Sequence, residues 1–222
     1  MKIACVIFDL DGTLVDASGD ISDALNVAFS PLGVRALTPQ DVGPLLGGGP
    51  RVLVEKALGT VDCHIAEERF EQILRDYSEA YRSNPVARTV LLSDAEHALP
   101  ALRATGTRLG VCTNKRTDIA KRVLDTLSLG ELFDAVVGSD RVAHPKPHPG
   151  HLLDTLAELD CAPSAALYVG DTTIDAQVAA AAEVAYLHVE WAEKNEDSFR
   201  EIANFAEIMD FVAGERDIAH FF

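Results

Sequence analysis

The sequence has 222 residues, 48% of them hydrophobic, with 19 basic and 35 acidic side chains and a net charge of −16. This composition is typical of a folded protein and argues against disorder. The acid excess repels nucleic acid and anionic membranes, so neither is an expected partner. Because no apolar run could span a membrane and the N-terminus lacks signal-peptide features, we expect a cytoplasmic protein.

Five short apolar runs rich in β-branched residues predict buried strands. They are residues 3–8, 107–112, 134–138, 166–170 and 184–189. Helical patterns separate the last four of these runs. Strand alternating with helix predicts an α/β fold with a Rossmann-like, doubly wound parallel sheet.

Residues 17–84 interrupt this alternation because they contain only helix and turn patterns. The apolar residues recur at helical spacing in two places: Ile21, Leu25, Ala28 and Leu32, and then Phe70, Ile73, Leu74, Tyr77 and Tyr81. We therefore expect an inserted α-helical domain over 17–84, with the α/β core formed by 1–16 and 85–222.

The four cysteines are scattered and form no CxxC pair, so neither a zinc site nor a disulfide framework is expected. They are Cys5, Cys63, Cys112 and Cys161. The three histidines near Lys146 are interpreted as loop and helix-start residues, since the acids already provide a site for a hard cation. These are His144, His148 and His151. Glu183 resists the left-handed conformation that often ends a helix, so a different helix end is expected there.

Polar side chains follow four of the predicted strands, and ligands of open α/β sheets bind outside the carboxyl ends of the strands. The polar set is Asp9, Asp11, Thr113, Asn114, Lys115, Lys146, Asp171, Thr172, Thr173 and Asp175. Carboxylates gathered without a cation would raise one another's pKa. A Mg²⁺ ion held by Asp9 and Asp171 would remove this repulsion and bridge the carboxylates to a phosphate.

The same residues predict phosphoryl transfer. Asp9 is ionised at pH 7, so it can attack phosphorus without a base. Asp11 can protonate the leaving oxygen and later deprotonate the water that hydrolyses the aspartyl phosphate. Lys146 and Thr113 suit the other phosphate oxygens. The alternatives are a plain turn around Gly12 and a helix N-cap at Thr113.

Four motifs resemble the signature motifs of haloacid-dehalogenase-type phosphatases. They are "DLDGT" (9–13), "TNK" (113–115), Lys146 and "GDTTID" (170–175). The resemblance covers nearly the whole chain, and the helical insertion stands in the place of that family's type-I cap. The order and spacing of four separate motifs make the resemblance specific, whereas "DxD" alone would be weak.

The resemblance implies a role for each motif residue. Asp9 would be the nucleophile and a Mg²⁺ ligand, and Asp11 the general acid/base whose backbone oxygen also binds the metal. The remaining roles are phosphoryl binding by Thr113 and Asn114, charge balance by Lys146, Mg²⁺ ligation by Asp171, and a supporting ligand or a nearby acid at Asp175.

The acid at Asp11 favours phosphate-ester hydrolysis or mutase chemistry over dehalogenation. Three segments (8–29, 45–58 and 113–127) resemble phosphoglycolate phosphatases most. The expected partner is therefore a small phosphorylated metabolite, and the protein itself is expected to be a monomer or homodimer. The alternatives are a pyrophosphatase, a sugar-phosphate phosphatase or phosphomutase, or a catalytically silent binding protein of the same fold.

The segment "GGGPR" (47–51) predicts a helix that begins near Pro50. Arg51 then lies in the first turn, where a cation opposes the helix dipole. An anion held by Arg51 and the helix N-terminus would reverse that cost. We therefore expect Arg51 and this loop to bind a second anionic group of the substrate; the alternative is a solvated arginine.

Overall fold

A parallel six-stranded sheet forms the centre of the protein in the computed structural model, which describes residues 3–192 and 199–216. The described strands are β1 (Cys5–Phe8), β2 (Val15–Asp16), β3 (Val90–Leu91), β4 (Arg108–Thr113), β5 (Ala135–Gly138), β6 (Ala166–Gly170), β7 (Ala185–Val189) and β8 (Glu201–Ile202). The strand order in the six-stranded sheet is β5-β4-β1-β6-β7-β8, so β1 lies in the middle, whereas β2 and β3 form a separate pair. The doubly wound α/β fold predicted from the sequence is confirmed.

Helices follow most strands and fill the insertion. They are α1 (Ser18–Phe29), α2 (Pro39–Val42), α3 (Gly49–Thr60), α4 (Glu67–Ser83), α5 (Ala95–Ala104), α6 (Thr117–Thr126), α7 (Pro149–Glu158), α8 (Thr173–Ala181) and α9 (Ile208–Val212). Among the described residues, none of these helices has both the length and the apolar character needed to cross a bilayer.

Both faces of the sheet are buried, because alternate residues of a strand point to opposite sides. In β1, Val6 and Phe8 belong to one apolar cluster, which also contains side chains of α5, α6 and α9. Cys5 and Ile7 belong to the other, with side chains of α7 and α8. Strand β1 is therefore buried on both sides, and this packing fixes the position of Asp9, the residue that follows it.

The helices α1–α4 lie between β2 and β3, two short strands that pair antiparallel. This pair brings the two ends of the insertion together, since Val15 is opposite Leu91 and Asp16 is opposite Val90. Asp16 also accepts a hydrogen bond from the backbone N–H of Ser18, at 2.9 Å, at the start of α1. The domain limits at 17 and 84 stay a prediction.

Three local features differ from the sequence-based expectations. A sixth strand, β8, pairs with β7 at the edge of the sheet and is too short to show a pattern. A disulfide bond joins Cys5 to Cys161, which are 156 positions apart and meet only because β1 and β6 are neighbours. Glu183 adopts the left-handed conformation after all, with a φ of 56°.

Candidate active site

The predicted site residues meet where the three central strands end. β1 lies between β4 and β6, and all three run parallel. Asp9, Thr113 and Asp171 lie at or directly after the ends of these strands. The structure therefore brings together motifs that are 58 to 162 positions apart in the chain.

Three of the acids form a compact cluster. Asp9, Asp171 and Asp175 each offer a carboxylate oxygen, and these atoms lie within 4.8 Å of one another. The hydroxyl of Thr13 donates to Asp171 Oδ1 at 2.6 Å. Gly12 has a φ of 86°, and a Cβ at this position would collide with the Asp171 carboxylate. Only glycine lets the turn after β1 approach Asp171 this closely.

The charges in this cluster are poorly balanced. The pKa of Asp9 is raised to about 6: burial raises it most, Lys146 lowers it, and the charges of Asp175 and Asp11 raise it. Burial, followed by the charges of Asp175 and Asp9, holds the pKa of Asp171 well above its ordinary value. A cation here would stabilise the ionised forms.

One oxygen atom of the cluster is suited to bind a cation. Asp9 Oδ1 is buried and accepts no hydrogen bond among the described residues, although Lys146 Nζ lies 3.0 Å from it as an ion pair. Buried carboxylate oxygens with excess negative charge are the donors that Mg²⁺ prefers. The acidic cluster therefore fits a hard divalent cation.

Lys146 lies inside the cluster and joins two of its acids. Its Nζ is 3.0 Å from Asp9 Oδ1 and donates to Asp175 Oδ1 at 2.7 Å and to the hydroxyl of Tyr168 at 2.9 Å. Burial alone would lower the pKa of Lys146, but Asp175 and Asp9 outweigh it and raise that pKa. Lys146 is therefore held as a cation beside Asp9.

Asp175 uses both oxygens as acceptors. Oδ1 accepts from Lys146 and Tyr168, and Oδ2 accepts from the backbone N–H and the hydroxyl of Thr172. These four bonds occupy the lone-pair positions of a carboxylate. Of the two roles expected for Asp175, the arrangement favours an acid that positions Lys146 over a direct metal ligand.

His151 holds the loop that carries Lys146. Its Nδ1 accepts from the backbone N–H of Lys146 at 3.2 Å, and its Nε2 lies 3.1 Å from the carbonyl of Val137. The side chain is fully buried, and burial, with the charge of Lys146, lowers the pKa of His151 to about 4. The interpretation of His151 as a structural histidine rather than a metal ligand agrees with these contacts.

We expect acid to weaken the fold through His151. Its pKa is lower in the folded protein than in the unfolded chain, so the unfolded chain binds the additional proton as the pH falls below about 6.5. Between pH 7 and pH 5 this should remove about 2 kcal/mol of stability that a His151→Gln variant does not lose. Urea unfolding of both proteins at the two pH values measures the difference. Equal losses in both proteins would contradict a neutral, buried His151.

Asp11 faces a lysine that the sequence did not connect to it. Lys115 Nζ lies 2.8 Å from Asp11 Oδ1 and 2.7 Å from Oδ2, and it also donates to the hydroxyl of Tyr81 at 2.8 Å. Lys115 and Asp11 belong to the sheet end, whereas Tyr81 belongs to α4 of the insertion. This bridge joins the sheet end to the insertion beside a cavity that Asp9 also lines.

Thr113 and Asn114 also lie at the site. The Thr113 hydroxyl accepts from the backbone N–H of Lys115 at 3.2 Å, and α6 begins only at Thr117, so Thr113 is not its N-cap. The Asn114 amide donates to the carbonyls of Gly47, at 2.8 Å, and Lys146, at 3.0 Å. Asn114 thus ties the loop before α3 to the core, and its contact with a phosphoryl group stays a prediction.

A cavity of about 80 Å³ lies between the sheet end and the helical insertion. We call it the cap cavity. Its walls include Asp9, Asp11, Thr113, Asn114, Lys115 and Arg116 from the sheet side, and Leu46, Gly47, Gly49, Pro50, Leu53, Tyr77, Tyr81 and Arg82 from the insertion. The loop at 47–50 therefore borders the site, as expected.

The Arg51 side chain is not among the described residues that line the cap cavity, and its binding of a second anionic group stays a prediction. The guanidinium lies over the ring of Phe70, 4.9 Å from the centroid, and pairs with Glu67 and Glu71 of α4. Two carboxylates of a neighbouring helix thus offset the cost of a cation in the first turn. The cations that line the cavity are Arg82, Lys115 and Arg116.

Two residues of the site carried no readable signal in the sequence. Tyr168 reads as a core residue of β6, yet its hydroxyl accepts from Lys146, donates to Asp175 Oδ1 at 2.8 Å, and lies 3.2 Å from the carbonyl oxygen of Cys112. Tyr81 reads as part of the apolar face of α4, yet its hydroxyl holds Lys115. Lys115 itself did stand directly after the predicted phosphate-binding pair, which was a usable hint.

The family model of haloacid dehalogenase-like hydrolases matches residues 6–189, most of the chain. The chain belongs to this family. Among curated relatives of this hydrolase, the phosphoglycolate phosphatase of Aquifex aeolicus (strain VF5) is 37% identical over 171 residues, 77% of this chain and 76% of that one. A phosphoglycolate phosphatase of Cereibacter sphaeroides (strain ATCC 17029 / ATH 2.4.9) is 36% identical over 177 residues, 80% of each chain. With the site described above, these relatives identify the hydrolase as a phosphatase.

Solved structures agree with the fold of this hydrolase. The crystal structure of a predicted phosphoglycolate phosphatase from Haemophilus somnus 129pt has a TM-score of 0.85 at 24% identity, and covers 95% of this chain and 98% of that one. A haloacid dehalogenase-like hydrolase from Bacteroides fragilis has a TM-score of 0.81 at 26% identity, with coverage of 93% and 100%. The likeness extends over the sheet and the helical insertion together.

Proposed function

We propose that this hydrolase cleaves a small anionic phosphomonoester, such as phosphoglycolate, with Mg²⁺ and through an aspartyl phosphate on Asp9. The observation that carries the proposal is the position of Asp9. Its buried carboxylate lies at the end of the central strand, has an oxygen without a hydrogen bond, and is 3.0 Å from the Lys146 ammonium. The relatives named phosphoglycolate phosphatase support the cleavage of a small anionic phosphomonoester.

Each step follows from a side chain of the site. The Asp9 carboxylate attacks phosphorus, while Lys146 balances the charge of the nucleophile and the transferring group. Asp11, which lines the same cavity, protonates the leaving oxygen and then deprotonates the attacking water. Thr113 and Asn114 are proposed to contact the phosphoryl group from the end of β4.

Asp9, Asp171 and the backbone oxygen of Asp11 would hold Mg²⁺, with Asp175 acting through Lys146. When bound, the ion neutralises charge on the carboxylates and the phosphate. The Thr13 hydroxyl on Asp171 and the absence of a side chain at Gly12 keep the Asp171 carboxylate in place. We propose 17–84 as a cap domain that closes over these groups and excludes bulk water.

The cap cavity supports a small, charged leaving group. Its volume of about 80 Å³ is far below the roughly 300–1,000 Å³ of sites for larger ligands. Three cations line it, at Lys115, Arg82 and Arg116. Since Lys115 is occupied by Asp11, we propose that Arg82 or Arg116 meets the second anionic group in place of Arg51. The monomeric or dimeric state and the cytoplasmic location stay predictions.

A substrate panel with and without metal tests the proposal. We expect phosphate release from phosphoglycolate with Mg²⁺ and loss of that release in EDTA, with lower kcat/KM for pyrophosphate and hexose phosphates. Without substrate, Mg²⁺ should raise the melting temperature of the wild type but not that of Asp171→Asn, since this variant lacks a ligand. Asp125→Asn, an exposed acid on α6, is the matched control.

Turnover of phosphoglycolate in EDTA at the full rate would contradict the role of the metal. Hexose phosphates as the best substrates would contradict the small leaving group but leave the phosphatase activity in place. Product formation only with a bisphosphate activator would identify a phosphomutase instead.

A further inference from the structure

Lys115 is a buried lysine that the reaction described above does not use. Only 5% of its side chain is exposed. It lies directly after Thr113 and Asn114 and stands over the ring of Tyr81, with Nζ 4.7 Å from the centroid. Burying an ammonium costs free energy unless acceptors surround it, so the acceptors around Lys115 indicate its role.

The acceptors around Lys115 are a carboxylate and a phenol hydroxyl. Its Nζ donates to Asp11 Oδ1 at 2.8 Å and to the Tyr81 hydroxyl at 2.8 Å, and lies 2.7 Å from Asp11 Oδ2. An ammonium has three N–H groups, and at least two of them are used by these neighbours. The charge of Lys115 is therefore directed at Asp11 in this arrangement, which favours a role on Asp11 over a role as a substrate ligand.

The bridge also spans the boundary between the core and the insertion. Asp11 follows β1, Lys115 follows β4, and Tyr81 lies near the end of α4. Tyr81 stacks on Tyr77 with ring centroids 6.0 Å apart, and both tyrosines are buried. The Tyr81 hydroxyl therefore occupies a defined place and reaches Lys115 only when α4 lies against the sheet end.

We propose that Lys115 is a positioning residue for Asp11: it holds the Asp11 carboxylate in place at the cavity that Asp9 also lines, and Tyr81 completes this arrangement when the insertion covers the site. This inference rests on the proposed function, because it assigns Lys115 an effect on the acid that protonates the leaving oxygen. It adds that the position of Asp11 depends on the closure of α4.

The leaving group provides a readout that a merely structural role would not change. Phenyl phosphate and p-nitrophenyl phosphate have nearly the same shape, but the phenolate needs a proton from Asp11 far more than the nitrophenolate does. If Asp11 is displaced, the first substrate should suffer selectively, since general acid catalysis contributes about 10²–10⁴-fold.

The experiment compares kcat/KM of Lys115→Met, Tyr81→Phe and the wild type on these two substrates and on phosphoglycolate, with Mg²⁺. Lys115→Met should lose at least about tenfold more on phenyl phosphate than on p-nitrophenyl phosphate. Tyr81→Phe should shift the ratio in the same direction by less, and it serves as the test if Lys115→Met does not fold. Lys121→Met, an exposed lysine on α6, should leave the ratio unchanged.

Equal losses on the two phenyl substrates would overturn the proposal and leave the phosphatase function standing. A rise in KM confined to phosphoglycolate would also overturn it, because Lys115 would then bind the second anion of the substrate. If the wild type released phosphate from none of the three substrates, the proposed function itself would fail and this inference with it.

Discussion

Replacing Asp9 with asparagine should abolish phosphate release while leaving the metal-free protein at least as stable as the wild type. The amide cannot attack phosphorus as a carboxylate does, so kcat should fall by more than about a thousandfold. The measurement is phosphate release from phosphoglycolate with saturating Mg²⁺, using freshly purified protein.

The effect on stability has the opposite direction because the ionised Asp9 is costly to bury. Burial raises its pKa to about 6 in the folded protein, so the folded state loses stability as the pH rises through the range from 3.8 to about 6. At neutral pH in EDTA, asparagine should therefore raise the free energy of unfolding by about 1–3 kcal/mol. Added Mg²⁺ should reduce this advantage, because it stabilises the wild-type carboxylate.

Asp125→Asn on the exposed surface of α6 is the control, and it should change neither activity nor stability. Substantial turnover by Asp9→Asn would remove Asp9 as the nucleophile. A clear loss of stability in EDTA would mean that the ion pair with Lys146 stabilises the fold more than the buried charge destabilises it.

Replacing Asp20 with alanine should lower the free energy of unfolding by about 3–5 kcal/mol. Asp20 lies near the start of α1, is 3% exposed, and binds the backbone of residues 87–89, which follow the insertion. Its carboxylate accepts from the backbone N–H groups of Ala87, Arg88 and Thr89 and from the Thr89 hydroxyl, at 2.7–3.1 Å. Alanine would leave these donors without their acceptor.

Asp23→Ala is a matched control because it lies one turn further along α1. Among the described residues, the Asp23 carboxylate contacts the guanidinium of Arg88, at 3.0 Å, and both side chains are at least half exposed. An exposed ion pair contributes roughly 0–1 kcal/mol, so Asp23→Ala should have a small effect. Urea unfolding of the three proteins measures both changes. Similar, small losses in the two variants would contradict the role of Asp20 as the clamp between the two ends of the insertion.

The sequence by itself determined five strands of the sheet and predicted a candidate catalytic set. The five apolar runs became β1, β4, β5, β6 and β7, because a strand buried on both faces must be apolar along its length. The meeting of Asp9 and Asp171 could be predicted because parallel neighbouring strands place their carboxyl ends together. The family resemblance, carried by four motifs in order, agrees with the family model that matches 6–189.

Only the tertiary structure decided which side chains are free to meet a ligand. Arg51 looked available from its place in the first turn of α3, but Glu67 and Glu71 of α4 pair with it. Lys115 belonged to the polar set predicted after the strands, but only the structure shows that its ammonium contacts Asp11 and Tyr81. Hydrogen bonds and ion pairs depend on atoms within about 3 Å. These contacts arise between elements distant in the chain, so they emerge from how helices pack against the sheet rather than from local spacing.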